Sequence, residues 1–436
     1  MRVRLPERRN RISLFLLGLI PLNAMIYLKE LFVSRRMLVG NGFVGCDQKP
    51  CLGSPVGRYP PCSFSIDELE VTDMTKRIFA SPGRYIQGSG VIAELGDYLS
   101  EMGTKALLVS DDIVWGLIST KVESAVSGKV EFAREKFSGE ASTNEINRLV
   151  EVAKNNGSNL VVGIGGGKTL DTVKAVADEL KTPVIIVPTI ASTDAPCSAL
   201  SVIYSDDGVF EKYRFYAKNP DLVLVDTWVC AQAPVRLFAS GIADGLATYV
   251  EALAVKRSNS KTMVGGSATI AGMAIAEACE KTLLTYGISA YQAVEKKLVT
   301  PAVEAVVEAA TLLSGLGFEN GGLAAAHAIH NGFTALHGDI HHLTHGEKVA
   351  YGTLAHMILE QREDDEIAGY IDFYRSIKMP VTLAELHLEG VSREDLIKVG
   401  KLANSKDDTL QNLRSDFTAE EVADAIFAVD ALAKVV

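Results

Sequence analysis

The chain has 436 residues, of which 47% are apolar and 22% are charged, and its formal net charge is −11. An acidic balance argues against a dedicated nucleic-acid-binding protein, which needs a basic face to neutralise phosphates. The charged fraction is too high for a protein with many membrane spans, and six cysteines are too few for a disulfide scaffold. These exclusions leave a globular protein, for which we expect an enzymatic role.

The first 73 residues differ in composition from the remainder. Residues 1–36 carry eight basic and two acidic side chains around an apolar run of 15 residues, short of the roughly 20 that span a bilayer. A basic start before an apolar run could be a secretory signal, a membrane anchor or an organellar presequence. We expect residues 1–73 to be an extension outside the folded core, or an upstream extension of a reading frame that begins near Met74. The protein is then cytoplasmic, whereas a genuine targeting segment would make it mitochondrial or membrane-associated.

From Lys105 the chain alternates between strands and helices, which is typical of a nucleotide-binding α/β domain. Apolar runs predict strands at 106–110, 130–137, 159–164, 182–188 and 222–226. Helices are predicted between them, at 145–156 and 169–180. Two shorter strands, around 199–204 and 213–217, flank a Ser-Asp-Asp-Gly turn and predict a hairpin.

Long Ala-rich amphipathic segments replace the strands after Pro234. They lie at 236–256, 265–286, 295–315, 321–336 and 346–362, with others near the end of the chain. We therefore predict an α/β domain over 74–234 and an all-helical domain over 235–436. A cleft between two such domains is a common place for a small-molecule site.

Three consecutive glycines, Gly165 to Gly167, connect a predicted strand to a predicted helix and are followed by Lys168. A helix N-terminus in this position suits an anion. Neither standard motif fits, because Val162 stands where a Walker A loop needs glycine and the G-x-G-x-x-G fingerprint lacks its third glycine. A turn that only needs positive φ angles is the alternative, but the exposed amides and the lysine favour a pyrophosphate site.

All eight histidines lie beyond residue 326, and six of them fall between 327 and 345. The predicted helix at 321–336 places His327 and His330 on roughly one face, and His345 begins the next helix. Two imidazoles and a carboxylate form the ligand set of a catalytic zinc site. We expect the carboxylate to be Asp244, which stands among small apolar residues where an unpaired acid would be costly to bury. Any single histidine could instead be exposed or cap a helix.

These segments together resemble the glycerol dehydrogenase branch of the metal-containing, iron-type alcohol dehydrogenase superfamily, over roughly residues 74–436. The motifs that carry the resemblance occur in the family's order, at 81–88, 163–171, 188–195, 241–244, 321–332 and 345–352. The resemblance implies an α/β N-terminal nucleotide-binding domain followed by an all-α, metal-binding C-terminal domain. This is the architecture that dehydroquinate synthase shares with iron-type alcohol dehydrogenases.

The resemblance also implies the site residues. The metal ligands are Asp244, His327 and His345, which hold one zinc ion per subunit, since relatives that use iron have an aspartate and three histidines. These three residues also bind substrate, and Asp194 contacts its hydroxyls. The implied NAD-binding residues are Asp111 at the adenosine ribose, with Gly167, Lys168, Asp171, Thr189, Ser192, Ser198, Leu200 and Tyr204. An acid at position 111 can accept from a ribose 2′-hydroxyl and would repel a 2′-phosphate, which favours NAD over NADP.

The implied activity is the NAD-dependent oxidation of glycerol to dihydroxyacetone, and of similar vicinal diols. A bound divalent ion acidifies a ligated hydroxyl, and the ionised alcohol then passes a hydride to the nicotinamide. The expected partners are a small-molecule substrate and further copies of the chain, without nucleic acid. Two alternatives stay open: a lyase similar to dehydroquinate synthase, which would have an acid–lysine pattern near 242–244, and a metal-binding relative without catalytic activity.

Overall fold

The computed structural model describes residues 76–436. The first part of these residues forms a parallel sheet. The predicted extension at 1–73 lies outside these residues. The eight strands are β1 (Tyr85–Gly88), β2 (Lys105–Ser110), β3 (Glu131–Lys136), β4 (Leu160–Gly165), β5 (Val184–Pro188), β6 (Leu200–Tyr204), β7 (Phe210–Phe215) and β8 (Leu222–Asp226). Six of them form one sheet in the order β1-β8-β5-β4-β2-β3, and β6 and β7 form a separate antiparallel hairpin. The sequence-predicted strands and hairpin are confirmed, except that the second hairpin strand, predicted around 213–217, lies at Phe210–Phe215.

The central strands are buried along their whole length. Every residue of β4, β5 and β8 is buried, as expected of parallel strands that are covered on both faces. The helices that flank the sheet are α1 (Leu95–Met102), α2 (Asp112–Val126), α3 (Thr143–Asn156) and α4 (Gly167–Leu180). In α3 the buried residues Ile146, Leu149, Val150 and Ala153 recur at helical spacing, so one apolar stripe faces the sheet.

Helices make up the remainder of the chain. They are α5 (Thr227–Gln232), α6 (Val235–Ser258), α7 (Ile270–Glu295), α8 (Pro301–Glu308), α9 (Ser314–Gly321), α10 (Ala325–Gly332), α11 (His345–Leu359), α12 (Asp364–Ser376), α13 (Arg393–Ala403) and α14 (Ala419–Ala433). A π-turn, Ala309–Leu313, joins α8 to α9. The α/β-then-helical fold class is confirmed, whereas the domain boundary at 234 stays a prediction.

Two apolar stretches in this half are long enough to cross a membrane by length and composition alone. They are Val235–Ser258, of which 89% of the most apolar window is buried inside the protein, and Pro301–Gly321, of which 61% is buried. Core packing accounts for the apolar character of both.

Three helix predictions are wrong at their ends. The predicted segment 265–286 begins and ends too early, because α7 runs from Ile270 to Glu295. The segment 295–315 is not one helix, because α7 ends at Glu295 and the next helix begins at Pro301 behind the N-cap Thr300. Proline fits the first turn of a helix, where its missing N–H is not needed. The segment 321–336 is interrupted at Gly322, whose φ of 98° ends α9. His327 and His330 nevertheless remain one turn apart, within α10.

Candidate active site

Three helices bring the predicted metal ligands together. Asp244 lies in the middle of α6, His327 in α10, and His345 is the first residue of α11. The start of α11 is fixed by a capping box between Thr344 and Glu347. The next residue, Gly346, lets α11 approach α6, because a Cβ there would lie 1.9 Å from the carbonyl oxygen of Ser240. The glycine after His345 therefore permits the close packing of α11 on α6 that places the imidazole beside Asp244.

The ligand atoms of these residues converge on one point. Oδ1 of Asp244 lies 3.0 Å from Nε2 of His345 and 3.5 Å from Nε2 of His327. All three atoms lie within 4.8 Å of one another. Apart from these two imidazole nitrogens, the buried Oδ1 has no hydrogen-bond partner among the described residues, and a carboxylate oxygen is costly to bury unless a cation completes its site.

The spacing of the three atoms fits a metal ion. Ligand atoms about 2.0 Å from a tetrahedral ion lie about 3.3 Å from one another, close to the two distances from Asp244 Oδ1. Burial alone would raise the pKa of Asp244, but the imidazoles of His345 and His327 hold it well below its usual range. The carboxylate is therefore ionised and available as a ligand. The structure brings the predicted triad together.

Glu251, which the sequence analysis missed, supports this site from α6. Its Oε2 lies 2.6 Å from Nδ1 of His327, and its Oε1 accepts the backbone N–H groups of Ala324 and His327 at 2.8 and 3.0 Å. Glu251 is fully buried. Since the carboxylate accepts, His327 carries a proton on Nδ1, which leaves Nε2, on the side of Asp244, as the nitrogen that can bind a metal ion. The spacing of seven residues from Asp244 places both acids on one helix face, and is the signal that could have identified Glu251.

His330 contacts the second imidazole and is not one of the converging atoms. Its Nε2 lies 3.1 Å from Nδ1 of His345, and its Nδ1 lies 3.1 Å from Oδ1 of Asn331. Burial, with His345 beside it, holds the pKa of His330 well below its usual range, so this imidazole is neutral. The remaining members of the cluster do not join the site: His337, His341 and His342 lie at the surface or between α10 and α11.

A cleft of about 910 Å³ opens at the carboxyl ends of β2 and β4. The chain runs outward from β2 to β3 and then returns to the other side of β2 as β4. Such a reversal in strand order leaves a crevice, the usual ligand site of an open α/β sheet. Asp111, Gly167, Lys168 and Thr189 line the cleft, together with apolar side chains. These four predicted cofactor residues therefore face one common space.

The glycine turn between β4 and α4 provides an open helix N-terminus. The N-cap residue Gly166 offers no side-chain hydrogen bond, so the first amides of α4 have no capping acceptor. None of Gly165, Gly166 and Gly167 has a positive φ. This excludes the alternative that the glycines are there only to provide positive φ angles in a turn. The glycines instead provide space, since a Cβ at Gly166 would lie 3.0 Å from Ile190 and one at Gly167 would lie 3.2 Å from Thr193 Oγ1. This cradle fits a pyrophosphate.

A smaller cavity of about 210 Å³ adjoins this cleft and shares Gly167 and Lys168 with it. Its walls include the predicted cofactor residues Asp171, Leu200 and Tyr204, the predicted substrate residue Asp194, and both metal-site histidines. The metal site therefore opens into a space that continues into the dinucleotide cleft, as hydride transfer between two ligands requires.

Three predicted cofactor residues have side chains that are buried inside the protein. The carboxylate of Asp171 pairs with Lys174 Nζ at 2.9 Å and accepts the N–H of Val202 at 3.0 Å, which fastens the hairpin to α4. Ser192 and Ser198 are buried and line neither the cleft nor the cavity. Their assignment to the cofactor stays a prediction.

Asp194 is held next to the metal site by two contacts. Its backbone N–H donates to Oδ2 of Asp244 at 3.2 Å, and its Oδ2 accepts from Ser314 Oγ at 3.2 Å. Burial and the neighbouring charge of Asp244 raise the pKa of Asp194 well above its usual range. The side chain can therefore serve as an acceptor or, when protonated, as a donor toward a molecule in the cavity.

Comparisons with known proteins agree with this geometry. Residues 82–227 match the family model "Iron-containing alcohol dehydrogenase". A glycerol dehydrogenase from Thermotoga maritima is 49% identical over 82% of this chain and 97% of its own length. A glycolaldehyde reductase from Halobacterium salinarum is 46% identical over 82% of this chain and 98% of its own. The chain belongs to the iron-containing alcohol dehydrogenase family.

The structural comparison supports the same assignment. A crystal structure of a probable glycerol dehydrogenase from Sinorhizobium meliloti superposes with a TM-score of 0.79 at 42% identity, covering 83% of this chain and 99% of the other. As an iron-containing alcohol dehydrogenase, the protein is an oxidoreductase that uses NAD and a metal. The resemblance recognised from the sequence motifs is confirmed, and the comparisons favour it over the lyase alternative.

Proposed function

We propose that this protein catalyses the NAD-dependent oxidation of glycerol to dihydroxyacetone, and of similar vicinal diols to the corresponding hydroxyketones. The observation that carries the proposal is the convergence of Asp244, His327 and His345 at the wall of a cavity that continues into the dinucleotide cleft. High identity to proteins named glycerol dehydrogenase supports the choice of substrate. In the balanced reaction, glycerol and NAD⁺ give dihydroxyacetone, NADH and a proton.

Each residue of the site has a different role in the proposed reaction. A metal ion bound by the three ligands would acidify a hydroxyl group of the substrate, and NAD would accept the hydride. One carboxylate and two neutral imidazoles leave a formal charge of +1 at a divalent site, which favours an ionised alcohol. Glu251 keeps His327 in the tautomer that can bind the ion. Asp194 contacts the hydroxyl groups, and the amides at the start of α4 hold the pyrophosphate.

We propose zinc as the metal, with one ion per subunit. Two histidines and one aspartate leave coordination positions open, as catalytic zinc sites do. The contact between Nε2 of His330 and His345 supports a set with two histidines, because it directs that nitrogen away from the other ligand atoms. Metal analysis of the purified protein, followed by reloading of chelated protein with zinc or ferrous iron, tests the choice.

The activity is tested by the formation of NADH from NAD⁺ and glycerol, with 1,2-propanediol as a second diol and NADP⁺ as a second cofactor. We expect oxidation of both diols, a preference for NAD⁺, and loss of activity after chelation. Reduction of dihydroxyacetone and of glycolaldehyde by NADH compares the two activities for which similar proteins are named. Absence of turnover with any of these diols by the metal-loaded protein would contradict the proposal.

We further propose that the enzyme works in the cytoplasm as a homo-oligomer. Exposed apolar side chains on and after the second half of α7 support self-association, namely Leu284, Tyr286, Ile288 and Leu298. The low cysteine content, six in 436 residues, supports a reducing compartment such as the cytoplasm. Light scattering coupled to size exclusion tests the first statement, and localisation of the tagged full-length chain tests the second.

A further inference from the structure

A line of hydrogen bonds runs from the metal ligand His345 to the hairpin. Nδ1 of His345 faces His330, and Nδ1 of His330 faces Oδ1 of Asn331. The amide nitrogen of Asn331 then donates to Asp408 Oδ2 at 3.1 Å and to the phenol oxygen of Tyr213 at 3.0 Å. Tyr213 belongs to β7, so this line connects the metal site to the strand pair that covers the cavity.

The directions of these hydrogen bonds follow from the chemistry of each group. The carboxylate of Asp408 can only accept, which fixes the NH₂ side of the Asn331 amide toward it. The carbonyl side of the same amide must accept from His330 Nδ1–H. His330 then accepts from His345 Nδ1–H, so His345 presents its Nε2 lone pair to the metal site. The phenol oxygen of Tyr213 is an acceptor in this line, and its own proton is not used.

That proton has no acceptor among residues 76–436, since the bond from Asn331 is the hydrogen bond that the structure gives to the Tyr213 hydroxyl. Burial raises the pKa of Tyr213 far above its usual value, so the hydroxyl keeps its proton. Tyr213 lines the cavity that also contains Asp194, His327 and His345. Beside it lie the apolar side chains of Leu200, Val202, Phe318 and Leu323, which provide no partner for a hydroxyl group of the substrate.

We propose that Tyr213 is a specificity-determining residue, which donates its O–H to the glycerol hydroxyl that is not held at the metal site. The inference rests on the proposed oxidation of glycerol. A vicinal diol presents two hydroxyls to the metal site and Asp194, and glycerol brings a third. A fixed donor beside this apolar part of the wall favours a substrate with that third hydroxyl, because burying the hydroxyl without a partner would be costly.

Tyr213→Phe tests the inference, since it removes one oxygen atom and keeps the ring. We expect kcat/KM for glycerol to fall about three- to tenfold, mainly through KM, as for the loss of one neutral hydrogen bond. The value for 1,2-propanediol, which lacks the third hydroxyl, should change less than about twofold. The preference for glycerol then falls by about the same three- to tenfold factor. Tyr216→Phe is the matched control, because Tyr216 lies in the same hairpin region and its hydroxyl donates to Ser201 outside the cavity.

A binding measurement without turnover complements the kinetics. In the presence of NAD⁺, dihydroxyacetone should raise the unfolding temperature of the metal-loaded protein more than hydroxyacetone does. This difference should become smaller in Tyr213→Phe and stay unchanged in Tyr216→Phe. If Tyr213→Phe keeps the wild-type preference for glycerol over 1,2-propanediol and for dihydroxyacetone over hydroxyacetone, the inference is overturned and the proposed function stays intact. A higher KM for NAD⁺ without a change for glycerol would also overturn it and assign the hydroxyl to the nicotinamide. A wild-type protein that oxidises no diol would overturn both proposals.

Discussion

Oε2 of Glu251 lies 2.6 Å from Nδ1 of His327, while Oε1 of the same carboxylate accepts the backbone N–H of His327 at 3.0 Å. One fully buried side chain thus holds a metal ligand by its ring and by its main chain. Burial would lower the pKa of His327, but the charges of Glu251 and Asp244 raise it well above its usual value, so a metal ion that binds Nε2 would displace a proton from that nitrogen. The orientation of this imidazole therefore depends on a residue that does not itself touch the metal.

Glu251→Gln should weaken metal binding about 10- to 100-fold, the usual effect of removing the partner of a metal-bound histidine. The amide oxygen can still accept the backbone N–H groups, but its NH₂ group would then face Nδ1 and drive the proton to Nε2, where the metal binds. A chelator competition measures the dissociation constant directly. Glu280→Gln is the control, because that carboxyl group accepts a hydrogen bond from Tyr370 and contacts none of the three ligands. Equal metal affinity in wild type and Glu251→Gln would disprove this role.

His327→Ala should abolish activity and metal retention, since two remaining ligands cannot hold a divalent ion against water. His337→Ala, at an exposed position beyond α10, should keep the wild-type metal content and activity within a few-fold. His330→Ala should fall between them, with a loss of about 10- to 100-fold, because His330 positions His345. Elemental analysis decides the question, and NADH fluorescence titration checks that cofactor binding survives in all three. One metal per chain in His327→Ala would show that the assigned ligand set is wrong.

Removal of the acid at position 111 should relax the choice of cofactor. Asp111 lines the cleft and also caps α2, where its Oδ1 accepts the N–H of Val114 at 2.8 Å. Asp111→Ser therefore tests the charge better than Asp111→Gly, because serine can keep the cap. We expect the ratio of kcat/KM values to move toward NADP by at least about tenfold, equal to about 1.4 kcal/mol. Thermal unfolding of both variants separates the cap from the charge, and an unchanged cofactor ratio would mean that Asp111 does not face the ribose.

A chain that begins at Met74 should keep the thermal midpoint and the activity of the full-length protein. It retains Lys76, whose carbonyl oxygen accepts from the N–H of Ser267, and Ala80, which exchanges two hydrogen bonds with the side chain of Asn320. A shorter chain that begins at Arg84 loses these contacts and should unfold at a lower temperature. Loss of soluble protein from the Met74 variant would show that residues 1–73 contribute to folding.

The sequence predicts the centre of the sheet better than its edge. Continuous apolar runs identify β4 and β8, because strands buried on both faces have no polar alternation. The four residues of β1 are all only half-buried, so no comparable run marks that strand. The interruption at Gly322 was also missed, since an Ala- and Gly-rich segment keeps its helical pattern on both sides of one residue with a positive φ.

The metal site could be predicted because its histidines cluster in the sequence, whereas their supporting groups do not. Asp244 and Glu251 come from a distant helix, and only packing shows which oxygen faces which imidazole. The structure also shows basic residues near Asp111 that its sequence neighbours do not indicate. No basic residue follows it closely in sequence, but Arg134 and Lys136 on β3 both pair with its neighbour Asp112, at 2.7 and 2.5 Å.

The two buried acids of α6 also limit how this protein can change in evolution. Asp244 and Glu251 are almost completely enclosed, and a buried charge that loses its partner costs several kcal/mol. A substitution that removed His327 would leave both carboxylates without that imidazole, and the fold itself would lose stability. The catalytic centre therefore cannot decay one residue at a time on an otherwise intact scaffold, and a descendant that abandoned the metal would first have to replace the acids.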